Sequence, residues 1–330
     1  VVFADPTALR DLEAITGPAI AERVLALRAA VPPGVVSVFD MPLLVERGLW
    51  VHEHLAVVVG ADPEVRVRRL VEQRGLREAD VRARMATQAT DADRRAAADV
   101  WLENDGTESS LAQSADALWQ ERIAPFNANV VGGIRAVPPN LEAVVEPRAD
   151  WAERGLRATA RIGAALTAAG ARAQVEHVGS TSVPGLPARD VVDVQVGLAT
   201  LETADDPAVR DAMRTAGYVL VPGDDQDTPL PAGASPAGWR KRCYGSCDPG
   251  NVVHVHVRQV GSPGWHFALL LRDWLRACPK ELRAYAAAER RLLESDPRTS
   301  GGAAAHEPWL AGAFSRAQAW ATSTRWSPAA

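Results

Sequence analysis

The sequence predicts two α/β domains in one chain, a parallel-sheet domain followed by an α+β one. Three observations carry the prediction. Apolar runs "VVSVFD" (35–40), "LAVVVG" (55–60) and "VWL" (100–102) alternate with helical periodicity over the first 125 residues, the order of a parallel sheet with crossovers. Residues 124–147 then carry Gly132-Gly133 and Pro138-Pro139 with little period, the strongest boundary signal in the chain. Beyond them, "VEHVGSTSVPGLPARDVVDVQVGL" (175–198) sets a strand, a Gly179-Ser180 turn, a proline-glycine turn and a second strand close together. Length agrees, since 330 residues suit two domains of about 150 each.

In order along the chain, Ala8 to Ala30 has helical spacing, with Leu9, Leu12, Ile15, Ile20, Val24 and Leu27 apolar and a break at Gly17-Pro18. Residues 35–40, bounded by Pro33-Gly34 and Pro42, form a buried strand that ends on Asp40. Asp40 has two readings. It caps a following helix, or it sits with Glu46 beyond the carboxyl end of a parallel strand, where ligands bind. Residues 55–60 are apolar throughout, hence buried on both faces. Asp62-Pro63 opens a helix, and residues 64–95 are dense in arginine. Val100 to Leu102 is a short strand that ends in the turn signal Asn104-Asp105-Gly106, and 111–123 returns to helical periodicity. In the second half, Trp265 to Leu293 forms two helices broken at Pro279, with Trp265, Leu269, Trp274, Leu275 and Tyr285 as packing residues. After a Gly- and Ala-rich stretch beyond Ser295, "HEPWLAGAFSRAQAWA" makes a further helix, and the last few residues are expected to be mobile. No repeat of 20–50 residues is present.

Composition excludes some classes. With 47% apolar and 23% charged residues and a net charge of −5, nothing draws the whole chain to nucleic acid or an anionic membrane. No apolar run approaches the roughly 18 residues of a membrane helix. Three cysteines, Cys243, Cys247 and Cys278, suit a reducing cytoplasm better than a disulfide framework. The chain opens on Val1-Val2 without methionine or a charged leader, so it is expected to be cut from something longer.

Three sets of residues carry chemistry. Arg66, Arg69, Arg74, Arg77, Arg82, Arg84, Arg94 and Arg95 are either a solvated face mixed with acids or a set that converges on a polyphosphate. Gly179-Ser180 followed by Asp193 on a strand is the nucleotidyltransferase pattern, in which loop amides hold a triphosphate and carboxylates bind Mg²⁺. Here the partner position two residues after Asp193 is the neutral Gln195. His254 and His256 share a strand face by the period of two and either bind a metal with Asp193 or hydrogen-bond locally. Cys243-x-x-x-Cys247 could join them in a zinc site, although the spacing is wrong for a knuckle.

"VVFADPTALRDLEAITGPAI", "VFDMPLLVE", "RMATQATDADRRAAAD" and "LENDG", in this order, resemble dephospho-coenzyme A kinase over residues 1–125. The resemblance implies a P-loop kinase sheet, incomplete here, with a helical lid. It also implies ATP and Mg²⁺ in the 3′-phosphorylation of dephospho-coenzyme A, with no nucleic acid or membrane partner. It places Asp40 and Arg84 at the chemistry and Pro42, Leu43, Leu44 and Glu46 at the acceptor. Arg69, Gln88 and Arg94 match positions that close over ATP, and Asn104 and Gly106 match the loop near the adenine. Gly17 departs from the family, which usually carries histidine there. The larger departure is that residues 1–330 contain no G-x-x-x-x-G-K-[ST], the segment that cradles the β and γ phosphates. It would lie upstream of Val1, so transfer is not expected from these residues alone.

Gly179-Ser180-Thr181-Ser182-Val183-Pro184-Gly185-Leu186, Asp193, His254-Val255-His256 and "LLLRDWLRACPKELRAYAAAERRL" resemble the GrpB-like family from Trp151 to Leu293. That resemblance implies a nucleotidyltransferase-like α+β fold, which occurs alone in many bacteria and behind this kinase in actinobacteria. The expected domains are 1–125 and 148–330, with 126–147 as linker. The second domain is then a nucleotidyltransferase or a non-catalytic domain that stabilises or regulates the kinase.

Overall fold

Strand β1 (Val57–Gly60) pairs in parallel with β2 (Val100–Glu103), in register Val57↔Val100 to Gly60↔Glu103, and this pair is the sheet of the first domain. The structure is a computed structural model that describes residues 6–138, 143–295 and 307–328. The stretch after Ser295 up to His306 and the final two residues lie outside the described residues. The chain divides into two compact units, residues 1–42 and 43–330.

The first unit is helix α1 (Pro6–Ala29) and an irregular segment after it. Its helix runs through Gly17-Pro18, where a break was expected. Pro18 costs one ladder bond, while Thr16 Oγ1 donates to the Leu12 carbonyl a turn back and the helix continues. Residues 35–40 are not the expected strand. Val35 is 56% and Val38 85% exposed, and no ladder partner is recorded for them among the described residues. β-branched composition favours a pleated surface but does not create one without a neighbouring strand. Residues 42–48, after Asp40, form turns, so the helix-cap reading of Asp40 also fails.

In the second unit, α2 (Pro63–Arg74), α3 (Glu78–Met85) and α4 (Asp91–Ala97) form the arginine-rich excursion between the two strands. Asp62 caps α2 by accepting from Glu64 N–H, with Pro63 at the first position. Val59 is 53% exposed, so β1 is not buried on both faces as expected, because a two-stranded sheet leaves one side open. Gly60 is required: a Cβ there would lie 1.9 Å from the Trp101 ring.

Helix α5 (Glu108–Leu118) runs through a wider turn at 119–123 into α6 (Ala124–Gly132). The front of the expected linker is therefore helical. Pro125 is tolerated in the first turn, Phe126 is buried, and Gly133 closes the helix at φ 62°.

The second domain holds β3 (Val144–Val145), α7 (Trp151–Ala168), β4 (Gln174–Val178), β5 (Ala188–Arg189), β6 (Val192–Leu198), α8 (Pro207–Thr215), β7 (Tyr218–Leu220), β8 (Arg242–Ser246) and β9 (Val253–Gln259). Helices α9 (Pro263–Ala277), α10 (Pro279–Ser295) and α11 (Glu307–Thr324) follow, with the expected break at Pro279. Five strands form one sheet in the order β4-β6-β9-β8-β7, in which only β6 and β9 run parallel, while β3 pairs with β5. Alternate residues Val192, Val194, Val196 and Leu198 of β6 pack under α7 and α8 with Ile162, Leu166 and Met213. By the period of two, Asp193 and Gln195 face the other side, toward α9.

Helix α7 presents Arg154, Arg157 and Arg161, all buried. The Asp99 carboxylate, just before β2, is 1% exposed and accepts both terminal nitrogens of Arg161 and the Ala56 N–H at 2.8 Å. Arg161 Nε donates to the Glu53 carbonyl at 2.8 Å, and Arg157 donates to the Ala96 carbonyl at 3.0 Å. A second link runs from Arg122, whose guanidinium grips Asp248 at 2.9 and 2.7 Å and also reaches the Asp99 carbonyl. Burial pushes the Asp99 carboxyl up, but the charge and hydrogen bonds of Arg161 outweigh it and hold the group below its ordinary range.

Removing Asp99 would leave two buried guanidiniums without their anion. Asp99→Ala should lower the unfolding free energy by about 3–5 kcal/mol in a guanidinium titration, and a loss under about 1 kcal/mol would contradict the assignment. The Asp99 contribution should be complete above about pH 4 and fade as pH falls below that, because the depressed native value makes the unfolded chain the better proton acceptor.

Candidate functional site

The arginine-rich excursion sorts by partner. Arg66 grips Asp91 at 2.9 and 3.0 Å, Arg77 pairs with Asp80, Arg82 with Glu64 and Glu78, and Arg95 with Glu103. Those are the solvated or structural arginines of the first reading. Arg69 does something else: its guanidinium donates to the carbonyls of Asn104 at 2.5 Å and Gly106 at 3.0 Å, fixing the loop that leaves β2. The predicted Arg69, Asn104 and Gly106 are thus brought together. So are Glu46, Gln88 and Arg94. Glu46 accepts the Ala89 N–H at 2.9 Å and lies 3.7 Å from Arg94, which donates to Gln88 at 3.3 Å. Arg84 is exposed near the end of α3 and has no side-chain partner among the described residues. Leu43 and Leu44 are half-buried in the turn that leads to Glu46, while Asp40 and Pro42 lie exposed in the first unit.

The second domain builds a cavity of about 580 Å³ on the face of its sheet opposite α7. Its apolar side is Leu230, Trp239, Phe267, Leu271 and Leu310, and its polar side holds the predicted residues. The parallel register sets Asp193 beside His254 and Gln195 beside His256. Lys241, just before β8, sits 2.7 Å from Asp224 and 3.2 Å from Asp227 and approaches His256 Nδ1 at 3.5 Å. An ammonium has only donors, so Nδ1 accepts and Nε2–H donates to Asp193 at 3.2 Å. Burial would raise the Asp193 carboxyl, but the His256 hydrogen bond and the two histidines hold it down to about 2.

Gln195 cannot stand in for a second acid. Fully buried, it donates to the Trp265 carbonyl at 3.1 Å and accepts from Arg258 at 2.8 Å. The Gly179-Ser180 loop is tight: Gly179 has φ +70°, and a Cβ there would lie 2.4 Å from Asp193 Oδ2. Ser180 shares a hydrogen bond with the Tyr285 hydroxyl at 3.1 Å, and the Ser182 and Val183 amides bond back to loop carbonyls. Among the described residues no three His, Cys, Asp or Glu side chains are arranged to hold a metal. Burial pushes the Cys243 thiol up to about 12 and the Cys247 thiol up to about 11, so neither is a reactive thiolate.

Sequence reading missed Lys241 and the whole set joining Asp99 to α7. One signal was available: the arginines at 154, 157 and 161 recur at helical spacing in an otherwise apolar, alanine-rich helix, "WAERGLRATARIGAALTA". The Asp248 partner of Arg122, 126 residues away, left none.

A family model described as dephospho-CoA kinase matches residues 1–110, and one described as GrpB protein matches residues 142–316. The dephospho-CoA kinase of Mycolicibacterium paratuberculosis is 41% identical over 99% of this chain and 82% of its own length. That of Mycobacterium leprae is 40% identical over 98% of this chain and 82% of its own. A solved GrpB from Enterococcus faecalis is 21% identical with a TM-score of 0.40, covering 56% of this chain and all of that one.

His177, on β4, shares a 3.0 Å hydrogen bond with Thr181, and burial pushes its imidazole down to about 4. Its neutral form is the one that folds, so the stability it contributes is complete above about pH 6.5, its ordinary value, and is lost as pH falls from there toward about 4. Imidazole NMR titration of the folded protein should find His177 unprotonated at pH 5.5. A midpoint near 6.5 would contradict the packing described.

Proposed function

The chain belongs to the dephospho-CoA kinase family, with a GrpB domain in its second half, and on that premise we propose how its own residues serve phosphoryl transfer. The donor in this reading is ATP with Mg²⁺ and the acceptor is the 3′-hydroxyl of dephospho-CoA. The γ-phosphorus forms a bond to that oxygen, its bond to the ADP oxygen breaks, and the hydroxyl proton leaves. The protein's part is orientation and charge, because the transferred group needs little covalent help.

One observation supports the division of roles. Within an excursion five of whose arginines meet carboxylates, Arg84, like Arg68 and Arg74, is exposed with no side-chain partner among the described residues. The family resemblance picks out Arg84 of the three, and a guanidinium so placed is free to meet a polyphosphate. Arg94 with Gln88 and Glu46 forms the strut that carries the lid, and Arg69 shapes the Asn104–Gly106 loop beside the adenine. Glu46 accepts the Ala89 N–H and stands beside Arg94, and in this reading Mg²⁺ comes with the nucleotide phosphates, its usual manner of binding. Asp40, Pro42, Leu43 and Leu44 are assigned to the acceptor side.

For the second domain, residues 148–330, we propose a non-catalytic, stabilising role. The buried and fully engaged Gln195 favours it over nucleotidyl transfer, which needs a second hard oxygen ligand there. Gly179, Ser180, Asp193, His254 and His256 then line a binding cavity without transfer chemistry.

Arg84→Ala, measured in a form of the protein that carries the phosphate loop, should lower kcat by about 10²-fold or more. The same change should leave the unfolding midpoint in place, since an exposed, unpaired side chain contributes little to folding. Near-normal turnover would return Arg84 to the solvated face.

A further inference from the structure

Helix α4 has only seven residues, and a helix that short is held by what its ends touch. Its amino end is fixed from within the first domain. Thr90 and Asp93 form a reciprocal capping box, and Arg66 grips Asp91. Its carboxyl end is fixed from outside. The Ala96 carbonyl, one of the four without a helical partner, accepts from Arg157 of α7 at 3.0 Å, and a cation there also meets the negative end of the helix dipole. Ala97 and Ala98, next in the chain, are buried. Between the two ends lies Arg94, which reaches Gln88 and Glu46.

We propose that Arg157 of the second domain is a positioning residue for the nucleotide lid, holding the carboxyl end of α4 so that Arg94 and Gln88 keep their place. The inference rests on the reading of Arg94 as a lid residue. Arg157 differs from its neighbour Arg161 in a way that makes it testable. Arg161 grips both oxygens of Asp99, whereas Arg157 Nε lies 3.2 Å from Asp99 without a hydrogen bond to it. Taking Arg157 away therefore leaves Asp99 paired one-to-one with Arg161 and strands no charge. The carbonyl of Ala96 loses its donor, and the end of α4 is released.

The test uses Arg157→Met and Arg157→Lys in a form of the protein that carries the phosphate loop, with Arg94→Ala beside them. Arg157→Met should raise KM for ATP about 10-fold with the KM for dephospho-CoA unchanged, since a small misplacement of a positioning group is costly. Arg157→Lys, which keeps a cation near Ala96, should recover most of the loss. Amide exchange within α4 should quicken at least about 10-fold in Arg157→Met while α2 keeps its protection. Exchange is read on the folded protein without substrate, so it decides the matter even where activity is low. Equal protection of α4 in both proteins, or equal effects on both KM values, would overturn the proposal. If Arg94→Ala leaves KM for ATP unchanged, the lid reading itself fails. If Arg94→Ala raises it and Arg157→Met does not, only the role of Arg157 fails.

Discussion

The join between the two-stranded sheet and α7 is organised around one buried carboxylate. Asp99 stands where the chain enters β2, exchanges hydrogen bonds with Ala56 at the entrance to β1, and takes the guanidinium of Arg161 from the second domain. A lone carboxylate at 1% exposure would be expensive to bury, and so would the two arginines that face it. The two arginines are tolerable only while Asp99 is present, and Asp99 only while Arg161 is. The consequence is mutual dependence: the two-stranded sheet is too small to hold its own edge, and α7 cannot present buried guanidiniums without an anion.

The same contact line reaches the carboxyl end of α4. Arg157 and Arg161 are one turn apart on α7, and they address different targets, a helix end and a carboxylate. Arg122 adds a third tie, to Asp248, and Asn129 donates to the Cys247 carbonyl at 2.9 Å. On the non-catalytic reading proposed for it, the second domain would bear on transfer next door through contacts that are polar, directional and shielded from salt. Its cavity, on the far face of the sheet, is separated from this line by the strands themselves.

Short local patterns were legible in the sequence, and long-range pairings were not. The Gly179 turn, the strand face shared by His254 and His256, the caps at Asp62 and the break at Pro279 all follow from local geometry, and the structure has each of them. Residues 35–40 read as a strand because composition cannot show whether a ladder partner is present. Residues 124–147 read as a boundary because Gly132-Gly133 and Pro138-Pro139 signal turns, although residues 124–132 are helical and Gly132-Gly133 marks that helix's end. At the site, Gln195 was recognised as a missing acid, yet its commitment to Trp265 and Arg258 depends on α9 packing against the sheet. The role of the α7 arginines was not legible, since burial of a charge is decided by a partner elsewhere in the chain.

The most direct test is a double-mutant cycle between Asp99 and Arg161, using Asp99→Asn and Arg161→Met in the complete chain and reading unfolding free energies. If this pair joins the domains, the coupling energy should be about 1.5 kcal/mol or more, with the double variant more stable than the sum of the single losses implies. Losses that simply add, to within about 0.3–0.5 kcal/mol, would show that the two domains do not depend on each other through Asp99.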